Sequence, residues 1–318
     1  YSCKFSNSSF KMSVSTSKKI WNSFFYGNFF AGLCAVALSI ETNVQHGLAL
    51  NGIHFYTIIF LGTTYYYTFL YLKEIPNQEY NERVSWYKNN QSLLKISQLI
   101  ILLILLVDVV LFVYRYYTSF LNLTSIKYGQ MLLFPIVALT YTFNLLPFPE
   151  IKKLRRIGWL KPFIIGFVWS GIVSVYPIIF YQLQIGSVQD FFALPSGWLW
   201  LKNFMFISTL CIMFDIKDYE NDKIENIKTF TVQLGVQRTI SYVIIPLVLM
   251  GIFSFLLFKL QTNTPYISTI IINIIPYVLL LISAYSLRKS KSIIYYLSVI
   301  DGLMIVKAVC GIAAVLIL

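Results

Sequence analysis

Nine stretches of mainly apolar residues, each long enough to cross a hydrocarbon core, constrain this chain more than any other feature. Such a core is about 30 Å thick and needs about 20 residues of helix. Inside it every backbone N–H and C=O must find its partner within the protein, so windows of this length are expected to be helices. They lie near 20–40, 53–72, 93–114, 128–146, 161–181, 197–214, 240–260, 266–287 and 293–317. The connections carry chain breakers: Asn51-Gly52, Pro76-Asn77, Pro147-Phe148-Pro149, Pro195-Ser196-Gly197 and Asn263-Thr264-Pro265. Pro135, Pro177, Pro246 and Pro276 fall inside windows, where they are expected to kink the helices without ending them. With 57% hydrophobic and 12% charged residues, the chain is neither a water-soluble globule nor a disordered segment. The expected fold class is all-α, a polytopic membrane protein with nine transmembrane helices. A tail at 1–19 precedes a single membrane domain at 20–318.

The formal net charge of +12 is distributed unevenly. Twenty basic residues fall in the N-terminal tail and in the loops after the second, fourth, sixth and eighth windows, or on their flanks. They include Lys18, Lys19, Lys73, Arg83, Lys152, Lys153, Arg155, Arg156, Lys161, Lys217, Lys223, Lys228 and Arg288. Four lie on the other side, Arg115, Lys127, Lys202 and Lys259, and Lys307 is inside the last window. This bias predicts a cytoplasmic N-terminus and an external C-terminus, with the positive charge spread along one membrane face beside lipid. Nucleic-acid binding is disfavoured, because no soluble basic domain presents that charge. Lys18-Lys19, the following apolar run and Ala35-Val36-Ala37 share features with a signal peptide. The length of the run, its aromatics and its place as the odd helix in the charge pattern favour a span. Met12 is a candidate start, with residues 1–11 dispensable. Cys3, Cys34, Cys211 and Cys310 are too scattered for a disulfide framework or a zinc site.

Of thirteen carboxylates, five cluster between 215 and 225. Asp215, Asp218 and Asp222 follow an i, i+3, i+7 spacing, which places them on one face of a continuous helix. Like charges in such a row repel by a few tenths of a kcal/mol per pair, so a cation is expected among them. Converging hard oxygens suit Mg²⁺, which takes one or two carboxylates together with substrate phosphates. Lys161, Lys223, Lys228 and Arg156 lie on the same side and can neutralise diphosphate oxygens. Spacing alone fits equally well a solvated juxtamembrane loop, in which Lys217 and Lys223 pair with neighbouring acids.

The run Asp215-Ile-Lys-Asp-Tyr-Glu-Asn-Asp-Lys-Ile-Glu-Asn-Ile-Lys-Thr-Phe-Thr-Val-Gln-Leu-Gly235 resembles the second aspartate-rich motif of the UbiA superfamily of intramembrane prenyltransferases. The nine-helix layout is also similar. Leu154-Arg155-Arg156-Ile157-Gly158-Trp159-Leu160-Lys161-Pro162, Trp169-Ser170 and Asp301-Gly302-Leu303-Met304 resemble a bacterial UbiA-like subgroup. The resemblance implies a helical bundle around a central cavity in a bacterial inner membrane. Mg²⁺ there would be held by Asp215, Asp218 and Asp222, and an isoprenyl diphosphate would pass its prenyl group to a lipophilic acceptor. Lys228 is implied as a diphosphate contact. Two rival readings stay open: a non-catalytic protein that binds a prenyl or quinone-like lipid, alone or as a subunit of a complex, and a cyclase acting on a prenyl substrate without an acceptor.

The superfamily's first aspartate motif has no counterpart here. The corresponding stretch runs Gly62-Thr-Thr-Tyr-Tyr-Tyr-Thr-Phe-Leu-Tyr-Leu-Lys-Glu74, without an aspartate. Glu79 and Glu82 are candidate replacements if the second helix continues past Pro76, although 76–90 reads as an ordinary polar loop. Tyr65, Tyr66 and Tyr67 either line the cavity, Tyr66 as a substrate contact, or serve in helix packing. Asp108, Asp301 and Lys307 are ionisable groups within apolar windows and are expected to face a cavity or a partner. His46 and His54, with no acid nearby in sequence, are expected at the surface.

Overall fold

The computed structural model describes residues 19–73, 82–143, 158–186, 194–263 and 266–317. All regular structure among them is helical. In chain order the helices are α1 (Lys19–Tyr26), α2 (Phe29–Gln45), α3 (Ile53–Lys73), α4 (Glu82–Asn89), α5 (Gln91–Arg115), α6 (Tyr117–Leu121) and α7 (Ser125–Phe143). There follow α8 (Gly158–Ile185), α9 (Leu194–Lys217), α10 (Tyr219–Ile224), α11 (Phe230–Leu234), α12 (Val236–Gln261), α13 (Ile267–Ser286) and α14 (Ile293–Leu316).

Each of the nine apolar windows holds a helix, but fewer qualify as spans by length and apolarity. Six helices do so: α5, α8, α9, α12, α13 and α14, or seven if the bent pair α1–α2 is one span. The two remaining windows hold α3 and α7, of 21 and 19 residues, long enough to cross but rich in Tyr and Thr. Hydroxyls dilute the apolar signal of α3 because several of them tie it to neighbours. Thr68 donates to the Gly27 carbonyl at 3.0 Å, and the Tyr66 hydroxyl meets Thr142 Oγ1 at 2.6 Å. The chain is an integral membrane protein built as a bundle of these helices.

The bundle closes on itself: α2 packs on α3 and α14, α14 on α13, α13 on α12, α12 on α9, α9 on α8, and α8 returns to α2. Small residues permit the close approaches, as expected where lipid supplies no hydrophobic drive between helices. A Cβ on Gly32 in α2 would lie 2.6 Å from Thr64 Oγ1 and 2.9 Å from the Phe60 carbonyl oxygen of α3. Because one of those atoms is backbone, α2 must move off α3. Gly32→Ala is therefore expected to cost about 1–3 kcal/mol, read as a lower thermal midpoint in detergent micelles.

Two of the four prolines predicted to kink their helices are accommodated in a particular way. Pro177 and Pro246 each follow a wide π turn, at Gly171–Val175 and Ile240–Ile244. A wider turn relieves the clash of the ring with the preceding turn, where a proline also removes one hydrogen bond. Pro135 and Pro276 lie inside α7 and α13. A third π turn, at Tyr296–Ile300, has no proline within it and ends at Asp301.

Three expectations need correction. Part of the supposed polar loop, residues 82–89, is the helix α4, because Arg83, Val84 and Tyr87 share a buried face. His54 is not an isolated surface residue: its Nδ1 lies 2.5 Å from Asp108 Oδ1, joining α3 to α5. Finally, the acid run is not one continuous helix. The chain leaves α9 at Lys217 and restarts α10 after Asp218, whose φ and ψ are −90° and 5°.

Candidate functional site

A cavity of about 300 Å³ opens where the C-terminal end of α9 meets the N-terminal end of α8. That volume is at the lower end of the range for small-molecule sites. Each helix contributes a stripe set by the helical repeat. From α9 come Ile207, Leu210, Cys211, Phe214 and Asp215, with Asp218 just past its end, a face that is apolar for two turns and then acidic. Helix α8 contributes Lys161, Pro162, Ile165 and Trp169, α3 contributes Tyr67, Leu70 and Tyr71, and α14 contributes Leu297, Asp301 and Met304. Asn28 and Arg83 complete the wall. The outcome is a charged rim above an aromatic and aliphatic floor, a shape for an amphiphile with a polar head.

At the rim, Lys161 Nζ is 3.5 Å from Asp215 Oδ1, and Lys217 Nζ is 3.2 Å from Asp218 Oδ1. Asp215 is buried at 2% exposure, yet its Oδ2 has no hydrogen-bond partner; Asp222 Oδ2 has none either. Buried carboxylate oxygens without donors are costly and call for a cation or water. Among the described residues, no three His, Cys, Asp or Glu side chains converge closely enough to cage a metal by themselves. The donors present fit a metal that shares its coordination with phosphate and water, as Mg²⁺ does.

The sequence-predicted residues separate into two groups. Asp215, Asp218 and Lys161 meet in the cavity. Asp222 sits one turn further along on α10, buried but not on the cavity wall, while Lys223 and Lys228 are exposed to its side. Tyr66 points its hydroxyl at Thr142 and the Ala138 carbonyl of α7, and it is the adjacent Tyr67 that faces the cavity. Arg156, Glu74 and Glu79 lie outside the described residues. Glu82 accepts from the Tyr26 hydroxyl at 3.3 Å.

Sequence reasoning missed Arg83. Its guanidinium is buried, with Nη2 donating to Asn28 Oδ1 at 2.7 Å and to the Tyr26 carbonyl at 3.2 Å. It stacks 3.8 Å from the Tyr71 ring centroid, and Nε has no partner. Asn28, in the left-handed region at φ 62°, makes the 56° break between α1 and α2. Its amide donates to Thr68 and Tyr87, so the break, Arg83 and the α3 aromatics form one unit. The available signal was the Arg83, Val84, Tyr87 spacing within a stretch otherwise polar. Where the aspartate motif is missing from α3, the wall thus offers two tyrosines and a fixed cation.

Burial pushes the Asp222 carboxyl up to about 6, with Asp218 and Glu225 adding repulsion and Lys161 opposing it. An unfolded chain ionises this group nearer pH 4. Folding therefore disfavours the charged form: the penalty is absent below about pH 4, grows between about 4 and 6, and is full above that. Asp222→Asn is expected to raise the thermal midpoint of the metal-free protein at about pH 8 and to give no gain near pH 4. A midpoint unchanged at the higher pH would show that the carboxylate is not held at a cost.

Compared by sequence, the chain matches no family model and no curated protein. Compared by structure, it matches a UbiA homologue from Archaeoglobus fulgidus solved with GPP and Mg²⁺, at 13% identity and a TM-score of 0.55. That alignment covers 92% of this chain and 99% of the other. It also matches a structure described as digeranylgeranylglyceryl phosphate synthase, at 15% identity and a TM-score of 0.54, over 95% of this chain and 100% of that one. At such low identity the likeness bears on architecture, and over nearly its whole length the chain has the fold of these two proteins.

Proposed function

We propose that this protein is a UbiA-type prenyltransferase that binds an isoprenyl diphosphate with Mg²⁺ and passes the prenyl group to a lipophilic acceptor. The observation that carries this reading is the cavity with Asp215, Asp218 and Lys161 at its rim and an aromatic floor. The shared fold with a protein solved with GPP and Mg²⁺ supports it. The reading places the protein in a bacterial inner membrane, with nine spans, the rim on the cytoplasmic face and the C-terminus outside, following the charge bias.

Asp215 and Asp218, with Asp222 one turn further along, would hold Mg²⁺ through carboxylate oxygens. The bound ion supplies Lewis-acid polarisation of the leaving diphosphate. Lys161, 3.5 Å from Asp215 at the rim, is placed to meet a diphosphate oxygen. Arg83 adds a permanent positive charge to the cavity wall. The prenyl tail lies along Ile207, Leu210, Ile165 and Met304, where burial excludes water. Tyr67 and Trp169 line the cavity with aromatic rings, which favour the positive charge developing on the allylic carbon.

The test is equilibrium binding of geranyl diphosphate to the purified protein in micelles, with Mg²⁺ and with the metal chelated. Binding that requires Mg²⁺ is expected. Metal-independent binding, or none to any prenyl diphosphate, overturns the proposal.

A further inference from the structure

The carboxylates within the helical spans or at the cavity rim fall into two kinds. Glu41 is held by Lys202 and Lys307, Asp108 by His54, Asp215 by Lys161 and Asp218 by Lys217. Asp301 is different. It lines the cavity from α14, and among the described residues its carboxylate enters no hydrogen bond and no salt bridge. An acidic side chain at this depth is expensive to place and is expected to be paired unless it meets a ligand or water.

The backbone holds it there deliberately. The π turn at Tyr296–Ile300 ends with the Asp301 N–H donating to the Tyr296 carbonyl at 3.1 Å, and the Asp301 carbonyl accepts from Cys34 Sγ at 3.5 Å. Leu297, Asp301 and Met304, spaced i, i+4 and i+7, share the helix face that lines the cavity. Its place on the wall differs from that of the rim carboxylates. Asp215 at the end of α9 and Asp218 just beyond it are each paired with a lysine, whereas Asp301 is carried by α14, with Tyr67 and Cys211 near it on the wall and Cys211 also one turn before Asp215. Arg83 and Lys217 act on it through space without touching it.

We infer that Asp301 is the proton acceptor of the reaction, placed to take the proton from the hydroxyl group that captures the prenyl carbon. This rests on the prenyl-transfer reading above and assigns the acceptor a chemical class, a molecule bearing an O–H. The C–O bond to the diphosphate breaks, and its electron pair leaves on the diphosphate. The allylic carbon bonds to the acceptor oxygen, and the O–H proton passes to an Asp301 carboxylate oxygen, from which it is lost to water at the rim. Asp301 then touches the reacting group and is catalytic, with no part in metal binding.

The experiment uses geranyl diphosphate carrying a heavy-oxygen label at its bridging position, Mg²⁺, and water as the hydroxyl probe. Label scrambling between bridging and non-bridging positions reports bond breaking with return, and geraniol formation reports capture. For Asp301→Asn, Mg²⁺-dependent binding and scrambling are expected to persist, while geraniol formation falls about a hundredfold or more. Asp301→Glu is expected to recover part of the loss. A hydrophobic carbodiimide is expected to label Asp301 in the wild-type protein, and geranyl diphosphate with Mg²⁺ to block it. Geraniol formation at the wild-type rate in Asp301→Asn overturns the inference alone. So does loss of binding as complete as in Asp218→Ala, which would make Asp301 a metal ligand. Wild-type protein that neither binds nor cleaves the probe overturns the prenyl-transfer reading and this inference with it.

Discussion

Alanine at Asp215 or at Asp218 is expected to abolish Mg²⁺-dependent binding of geranyl diphosphate and to lower its turnover by about 10²–10³-fold. Both carboxylates stand on the cavity wall, and Asp215 Oδ2 is buried without a donor, so each removal takes away charge that no neighbour replaces. The two variants should differ in one respect. Without Asp215, Lys161 loses the carboxylate 3.5 Å away and is left facing Asp218 and the cavity, so some metal-independent binding of diphosphate is expected. Without Asp218, Lys217 is released toward the rim while the Asp215–Lys161 pair persists, and no metal-independent binding is expected to take the place of the lost mode. Equal Mg²⁺ dependence in the wild-type protein and both variants would remove these aspartates from the metal site. Isothermal titration at fixed micelle concentration reads each case.

The second large effect is on stability, and it lies away from the cavity. Glu41 Oε1 accepts from Lys202 Nζ at 3.0 Å and its Oε2 from Lys307 Nζ at 2.6 Å, all three side chains being at most 1% exposed. Gln45 donates to Glu41 at 3.2 Å, and Asn273 Oδ1 accepts from both Lys202 and Gln45. The knot therefore ties α2, α9, α13 and α14 together. On α9, Lys202 is about 20 Å along the axis from Asp215. Glu41→Ala would leave two buried ammonium groups without a counter-ion, costing about 3–5 kcal/mol. Lys202→Met leaves a matched Glu41–Lys307 pair and is expected to cost much less. Thermal unfolding in micelles should rank the two variants in that order; equal midpoints would show that the bundle does not depend on the ion pairs. Gly311 belongs to the same knot, since a Cβ there would lie 2.4 Å from Glu41 Oε1.

What could be read directly from the residues was whatever depends on local order. Apolar windows mark helices because a bilayer leaves the backbone no other way to satisfy its polar groups within one segment. That Asp215 and Asp218 share a face was legible because a helix turns short-range spacing into a shared face, whereas the break before α10 that carries Asp222 off the cavity wall was not. Lys161, just before Pro162, was legible as part of a basic run on the expected side. The count of spans was less so, because α3 and α7 use hydroxyls and tyrosines for interhelical bonds and no longer read as purely apolar.

Pairings across the bundle had no trace in the order of residues. Glu41 meets Lys307 from 266 positions away, and Asn28 takes Arg83 from 55. Neither partner could be assigned to the other while the helices were unpacked, since each charge alone reads only as an expensive residue in an apolar stretch. Asp301 shows this most plainly. Its place in an apolar window was plain, but that its carboxylate meets no partner among the described residues is a property of every helix around it, and this sets it apart from the structural ion pairs. Local periodicity decides which face a residue occupies, whereas only the packed bundle, by bringing remote faces to within hydrogen-bond reach, decides which charges are neutralised and which stay free to react.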